Sequence, residues 1–97
     1  MSRVAVITGG ARGIGRAIAL RLAQDKVDIA IVDRSECDEL CAVLRGLGVR
    51  AGAYRCDVSD YEQVGTVCGQ IVADFGGVDI LINNAGITKD NLLLRMS

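Results

Sequence analysis

A cluster of glycines close to the amino terminus constrains this chain more than any other feature. An apolar run at residues 4–7 ends in Thr8, the cluster follows, and a helical pattern begins within it. This is the order of a strand, a tight turn and a helix, and glycine allows the turn because it carries no Cβ. The start of a helix attracts anions, so the stretch predicts a pyrophosphate site, with a turn that binds nothing as the alternative. The glycines of the cluster are Gly9, Gly10, Gly13 and Gly15.

Apolar strand patterns alternate with helical patterns along the rest of the chain. Strands are predicted at residues 3–7, 29–32, 49–55 and 78–82, and helices at 13–24, 35–44 and 59–75, with Asp90 or Asn91 capping a fourth helix. Such alternation is typical of a parallel sheet with right-handed crossovers, and it predicts the strand order 3-2-1-4. The expected fold class is therefore α/β, the amino-terminal half of a Rossmann-type doubly wound sheet, in one domain over residues 1–97.

Local patterns add expectations about how these elements end and pack. Ser35 and Ser59 are predicted N-caps, since an acid follows each of them three residues later. The alternating third strand is expected at one edge of the sheet. Ile80 and Ile82 of the fourth strand are expected on an open edge at the other side, which invites pairing with another chain. The predicted buried stripe of the first helix is Ile14, Ala17, Ile18 and Leu22.

Composition and charge exclude several classes of function. The net charge is −1, there is no basic run, and the aromatic residues are two Tyr and one Phe, so nothing indicates nucleic-acid binding. No apolar stretch reaches the roughly 18 residues that a membrane span needs. No charged leader precedes the first strand, so a signal peptide is not expected either. We therefore expect a cytoplasmic protein.

The four cysteines form no CxxC pair, and the chain has no histidine. A metal site would need all four scattered thiolates, so no metal is expected. Cys37 and Cys41 share a helical face with leucines, and we interpret them as small core residues. Reduced thiols fit the cytosol.

Asp33 ends the second predicted strand. Dinucleotide folds place an acid about 20 residues after the glycines, where it accepts hydrogen bonds from ribose hydroxyls. Helping to cap the next helix is the alternative role for Asp33. Its carboxylate would repel a 2′-phosphate, which favours NAD over NADP, but Arg34 and Arg12 are both expected nearby and could neutralise such a phosphate. The predicted cofactor is thus NAD(H) or NADP(H), with a preference for NAD(H).

Two further stretches fall at the carboxyl ends of strands. Asp57 could accept a hydrogen bond from the amino group of an adenine, and Val58 could form an apolar wall beside it. Residues 83–86, Asn-Asn-Ala-Gly, bring two amides and two small residues to the point where the strand order reverses. This suggests backbone close to a ligand. An acid before a helix and an Asn/Gly turn are also common without a ligand.

Together these motifs resemble those of the short-chain dehydrogenase/reductase family. Residues 8–15 match its TGxxxGxG fingerprint, and residues 57–58 and 83–86 match its next two motifs in order. Residues 87–96 look like the stretch that follows in 3-oxoacyl-acyl-carrier-protein reductases. The resemblance implies a pyrophosphate on the glycine turn and a nicotinamide ribose near Asn84. The implied cofactor-binding residues are Gly9, Gly10, Ala11, Arg12, Gly13, Ile14, Gly15, Asp33, Arg34, Asp57, Val58, Asn84, Ala85 and Gly86.

The resemblance also implies an activity, the reduction of a 3-oxoacyl thioester on acyl carrier protein by a homo-oligomeric enzyme. Such reductases usually favour NADPH, and Asp33 departs from that preference. The family's catalytic Tyr-x-x-x-Lys pattern is missing, since neither Tyr54 nor Tyr61 has a lysine four residues later. The chain therefore resembles the cofactor-binding amino-terminal half of the family. A non-catalytic nucleotide-binding or interaction module is the alternative.

Gly13 is expected not to tolerate a side chain. A Cβ at this position would push against the pyrophosphate and against the contact between helix and strand. We therefore expect Gly13→Val to abolish dinucleotide binding without removing the parallel sheet.

Overall fold

The structure, a computed structural model, describes residues 3–10, 13–84 and 94–96. The elements are β1 (Val4–Thr8), α1 (Gly13–Gln24), β2 (Asp28–Asp33), α2 (Asp38–Gly46), β3 (Ala51–Arg55), α3 (Tyr61–Phe75), β4 (Ile80–Asn83) and β5 (Leu94–Met96). They form a sheet in the order β3-β2-β1-β4-β5, in which the first four strands are parallel. This confirms the predicted order 3-2-1-4 and the position of the third strand at one edge.

The fifth strand contradicts two expectations. Residues 94–96 form a strand where the pattern predicts a helix, and the expected caps of that helix, Asp90 and Asn91, lie outside the described residues. β5 pairs antiparallel with β4 from Ile80 to Ile82. The edge of a sheet presents unpaired N–H and C=O groups, and this short strand satisfies those of β4. The prediction of an open edge at Ile80 and Ile82 is therefore wrong.

The sheet buries apolar residues on both faces because side chains alternate along each strand. The buried apolar residues form two clusters, one on each face of the sheet. α1 and α2 cover the face with the larger cluster, and α3 covers part of the other face, over the smaller cluster. Cys37 and Cys41 are buried in the larger cluster, which confirms their interpretation as core residues. The largest fully buried side chains there are Ile7, Ile29, Ile31 and Leu44.

α1 packs on the sheet through its smallest residues. The predicted stripe is correct only at Ile18 and Leu22, which lie half-buried against the core. It is wrong at Ile14, which is 67 % exposed, and at Ala17, which is also exposed. Small residues let the helix approach the sheet closely, whereas a larger side chain would hold it away. The residues that make this contact are Gly15, Ala19 and Ala23.

α2 begins later than predicted because Ser35 is engaged elsewhere. The Ser35 N–H donates to Asp33 Oδ1 at 2.8 Å, which closes a tight turn directly after β2. α2 starts at Asp38, and Cys37 occupies the N-cap without a side-chain capping bond, since its thiol donates to Ser35 O at 3.4 Å. Ser35 is therefore not a cap. Acidic side chains in the first turn, Asp38 and Glu39, favour the positive end of this helix instead.

α3 is capped by Asp60 and not by Ser59. The Asp60 carboxylate accepts hydrogen bonds from the N–H groups of Glu62 and Gln63. Ser59 donates instead to Asp57 Oδ1, at 3.0 Å from its N–H and at 2.7 Å from its hydroxyl. An ionised carboxylate accepts more strongly than a hydroxyl. Asp60 therefore caps the helix, and Asp57 binds the serine that the sequence pattern assigned as the cap.

An ion pair that no sequence pattern indicates joins the amino ends of β2 and β3. Asp28 is 3 % exposed. Its carboxylate accepts from Arg50 Nε and from the Arg50 N–H, both at 2.9 Å. The guanidinium also donates to Phe75 O at 3.2 Å and lies 5.2 Å from the centre of the Phe75 ring. One arginine thus links β2, β3 and the end of α3.

Candidate functional site

The carboxyl ends of the parallel strands meet next to the point where the strand order reverses. β2 and β4 lie on opposite sides of β1, so the loops that follow them diverge and leave a crevice. A cleft of about 190 Å³ opens there between the glycine turn and the loops after β2 and β3. Most of its lining was predicted to bind a cofactor. The lining residues are Gly9, Val32, Asp33, Arg34, Cys56, Asp57 and Val58.

The glycine turn is held close to β2. Gly9 has a φ of 68°, and its N–H donates to Val32 O at 2.7 Å. A Cβ on Gly10 would lie 2.9 Å from Ile31 Cγ2, which is closer than two carbon atoms approach without a shift. A ligand in front of Gly9 and Gly10 would therefore contact backbone atoms of the turn and no side chain.

The contact between helix and strand lies at Gly15 and not at Gly13. A Cβ on Gly15 would overlap Gly9 O and would lie 2.7 Å from Asn84 Nδ2, whereas a Cβ on Gly13 would meet no atom of the described residues within 4 Å. The packing role predicted for Gly13 is therefore wrong. Gly13 supplies a φ of 66° at the start of α1, a conformation that favours glycine. Its place beside a pyrophosphate stays a prediction.

Both asparagines at the end of β4 connect that strand to its neighbour. Asn84 Nδ2 donates to Gly9 O at 2.9 Å, and Thr8 Oγ1 donates to Asn83 Oδ1 at 3.0 Å. Asn84 thus braces the glycine turn across the sheet, in addition to any contact with a ligand. Four of the predicted cofactor-binding residues lie outside the described residues: Ala11, Arg12, Ala85 and Gly86.

Two carboxylates line the cleft from neighbouring strands. Asp33 is half-buried at the end of β2, and the exposed Arg34 follows it. Asp57 follows β3, and the hydrogen bonds from the Ser59 hydroxyl and N–H lower the pKa of Asp57 below its usual range. It is therefore an anion at neutral pH. Val58 is half-buried beside it and packs against the cluster under α3.

One residue that contacts the lining of this cleft was missed by the sequence analysis. Gln63, in the first turn of α3, accepts from the Asp57 N–H through Oε1 at 3.1 Å. Its Nε2 donates to Asp60 Oδ2 at 3.2 Å. A glutamine three residues after an N-cap is a capping-box signal, and it was hidden because the cap was assigned to Ser59.

Tyr54 and Cys37 are poorly suited to move a proton at neutral pH. Burial, together with a 2.6 Å hydrogen bond from its hydroxyl to Asp74, raises the pKa of Tyr54. Tyr61 is 89 % exposed on α3. Burial raises the pKa of Cys37 to about 11, which keeps that thiol protonated and unreactive. Within the described ranges no group of side chains could hold a metal, and no helix is long and apolar enough to cross a membrane.

Comparison with known sequences finds one family and close relatives. A profile of the short chain dehydrogenase family matches residues 3–97. The 3-oxoacyl-[acyl-carrier-protein] reductase FabG of Staphylococcus epidermidis is 42 % identical over 99 residues. That alignment covers 99 % of this chain and 41 % of the relative.

Solved structures share the fold over most of the chain. A 3-oxoacyl-[acyl-carrier protein] reductase from Brucella melitensis in complex with NAD has a TM-score of 0.85 and 36 % identity, covering 94 % of this chain and 36 % of that one. An alcohol dehydrogenase from the archaeon Thermococcus sibiricus complexed with 5-hydroxy-NADP has a TM-score of 0.80 and 37 % identity, covering 84 % and 36 %. This chain therefore spans less than half of the length of each of these relatives.

Proposed function

Because this chain belongs to the short-chain dehydrogenase family, we propose that it binds NAD(H) or NADP(H) at the carboxyl ends of its strands. The observation that carries the proposal is the glycine turn, where Gly10 and Gly15 have no room for a Cβ, beside a cleft that contains Asp33 and Asp57. Relatives solved with NAD and with 5-hydroxy-NADP support it. A bound nicotinamide would supply a hydride to the substrate.

In this proposal each part of the dinucleotide is bound by different residues of the site. The start of α1, at Gly13 and Ile14, faces the pyrophosphate, since the first N–H groups of a helix attract anions. Asp33 accepts hydrogen bonds from the adenosine ribose, and Asp57 borders the adenine. Asn84 lies towards the nicotinamide ribose.

For the whole protein we propose reduction of 3-oxoacyl thioesters carried on acyl carrier protein, the activity named for the staphylococcal relative. We also propose a cytoplasmic homo-oligomer without nucleic-acid or membrane partners. Hydride delivery to a ketone builds negative charge on its oxygen, so a positioned acid must supply a proton. The raised pKa values of Tyr54 and Cys37 favour a second candidate for the chain as given, which is dinucleotide binding without turnover.

Asp33→Ala is expected to narrow the preference for NADH over NADPH. Loss of one charged hydrogen bond to the ribose should weaken NADH binding by about 1.5–3 kcal/mol, while removal of the carboxylate relieves repulsion of the 2′-phosphate. Calorimetric titration of both nucleotides measures the two affinities. Glu39→Ala, which removes the same charge from α2 outside the cleft, is the matched control and should leave both affinities unchanged. Wild type that binds NADPH more tightly than NADH contradicts the assignment to NAD.

The 97-residue chain is expected to bind dinucleotide without reducing ketones. Lys26 donates to Leu47 O at 2.8 Å, before β2 and away from the strand ends, which leaves Lys89 as the one other lysine of the sequence. Oxidation of NADH and NADPH with acetoacetyl thioesters, on protein freed of host reductases, should not exceed the rate without protein. Turnover that follows the chain through purification and is lost in Lys89→Ala contradicts this expectation.

A further inference from the structure

Asp57 is held from two sides, so its carboxylate has a defined orientation. Its Oδ1 accepts from the Ser59 N–H at 3.0 Å and from the Ser59 hydroxyl at 2.7 Å. Its own N–H donates to Gln63 Oε1 at 3.1 Å. The side chain is thus fixed by Ser59, two residues later in the loop, and the backbone is fixed by α3.

The Gln63 amide is itself fixed by the helix cap. Its Nε2 donates to Asp60 Oδ2 at 3.2 Å, and its backbone N–H donates to Asp60 Oδ1 at 3.2 Å. Because a side-chain amide is planar, a bond that holds Nε2 also sets the direction of Oε1. A continuous set of hydrogen bonds therefore runs from the first turn of α3 to the backbone of Asp57.

We propose that Gln63 is a positioning residue for adenine recognition, because it holds Asp57 so that Oδ2 accepts a hydrogen bond from the 6-amino group of the base. This inference rests on the proposed function. Within the described part of the chain, Oδ1 takes both bonds from Ser59, and Oδ2 is left for the ligand. A purine with an oxygen at position 6 has no donor there and would set that oxygen against the carboxylate. The Asp57 carboxylate, held by Gln63, therefore selects adenine over purines that carry an oxygen at position 6.

Gln63→Leu tests the inference with two probes, NAD and nicotinamide hypoxanthine dinucleotide, which carries an oxygen in place of the amino group. Wild type should prefer NAD by roughly tenfold, the value of one good hydrogen bond to a charged group. In Gln63→Leu the preference should fall below about threefold, because the Asp57 backbone is released from α3 and its carboxylate, although still bonded to Ser59, no longer has a fixed position. Asp60 still accepts from two backbone N–H groups in this variant, so α3 keeps its cap and the unfolding midpoint should change little.

Gln70→Leu is the matched control, because it makes the same replacement at another exposed position of α3. It should keep the wild-type preference, and Gln63→Ala should repeat the loss if the leucine variant does not fold. Asp57→Asn alone should also reduce the preference, and adding Gln63→Leu to it should reduce it no further, since both act through one carboxylate. A wild-type preference retained in Gln63→Leu or Gln63→Ala overturns the inference alone. Wild type that binds neither dinucleotide overturns the proposed function and the inference with it.

Discussion

Gly15→Ala is expected to abolish dinucleotide binding and to lower the free energy of unfolding by about 3 kcal/mol. The added Cβ would overlap Gly9 O and would lie 2.7 Å from Asn84 Nδ2. Neither atom can rotate away, because Gly9 O is backbone and Asn84 Nδ2 donates to that same oxygen. α1 must therefore move off the turn, which displaces the N–H groups that would face the pyrophosphate. Calorimetric titration with NADH should show a loss of roughly a hundredfold or more.

Two other glycine replacements serve as controls for Gly15→Ala. Gly69→Ala adds the same methyl group inside α3, where none of the described neighbours lies within 4 Å, and should stabilise the helix by about 0.5–1 kcal/mol with NADH affinity unchanged. The methyl group of Gly13→Ala would also meet no atom of the described residues, and its cost in unfolding free energy should be only the strain of a left-handed residue, about 1–2 kcal/mol. A larger loss of stability in Gly13→Ala than in Gly15→Ala, measured in urea, contradicts the packing described for α1.

The order of the sheet could be predicted because it depends on patterns that many residues share. Each apolar strand is followed by a helical stripe, and right-handed crossovers then leave few possible topologies. The helix starts could not be predicted as well, because each depends on one or two side chains that compete for the same N–H groups. Ser35 and Ser59 fit the capping pattern, but Asp33 and Asp57 engage them first.

The periodic pattern of hydrophobic residues also could not predict which small residues of α1 pack against the sheet. A hydrophobic stripe favours Ile14 because it is large, yet Ile14 is exposed while Gly15 is buried. What buries Gly15 is the close approach of the helix to the turn, and no property of the glycine itself indicates that approach. The short strand β5 is a similar case, since three residues pair only because β4 offers them an edge.

Within the candidate site, the sequence predicts where a residue lies better than it predicts the hydrogen-bond partner of that residue. Asp33 and Asp57 were placed correctly at the cleft because each lies at the carboxyl end of a predicted strand, and the ends of parallel strands meet. The bond between Asn84 and Gly9 joins residues 75 positions apart, and it forms only because β1 and β4 become neighbours. The contact of Gln63 with Asp57 depends in turn on which residue caps α3.

Arg50→Met is expected to lower the free energy of unfolding by about 3 kcal/mol. Methionine keeps an apolar stem beside Phe75 but removes the guanidinium, which leaves the Asp28 carboxylate, 3 % exposed, with a bond from the backbone N–H of residue 50. A buried charge without its partner is costly because it has lost both water and its counter-ion. We expect the lower end of the range known for such pairs, since the Arg50 side chain is itself 54 % exposed. Urea unfolding measures the loss, provided that its slope is unchanged.

Arg21→Met is the matched control, because Arg21 pairs with Asp25 at 3.0 Å but both side chains are largely exposed, 68 % and 57 %. Exposed pairs of this kind contribute at most about 0.5 kcal/mol, so the control should be nearly as stable as wild type. Adding Asp28→Asn to Arg50→Met should recover part of the loss, because an amide is cheaper to bury than an unpaired carboxylate. If Arg50→Met and Arg21→Met lose equal stability, burial of Asp28 adds nothing to the strength of its ion pair. The link between β2 and β3 would then owe its stability to the backbone bonds, including the one from the N–H of residue 50 to Asp28.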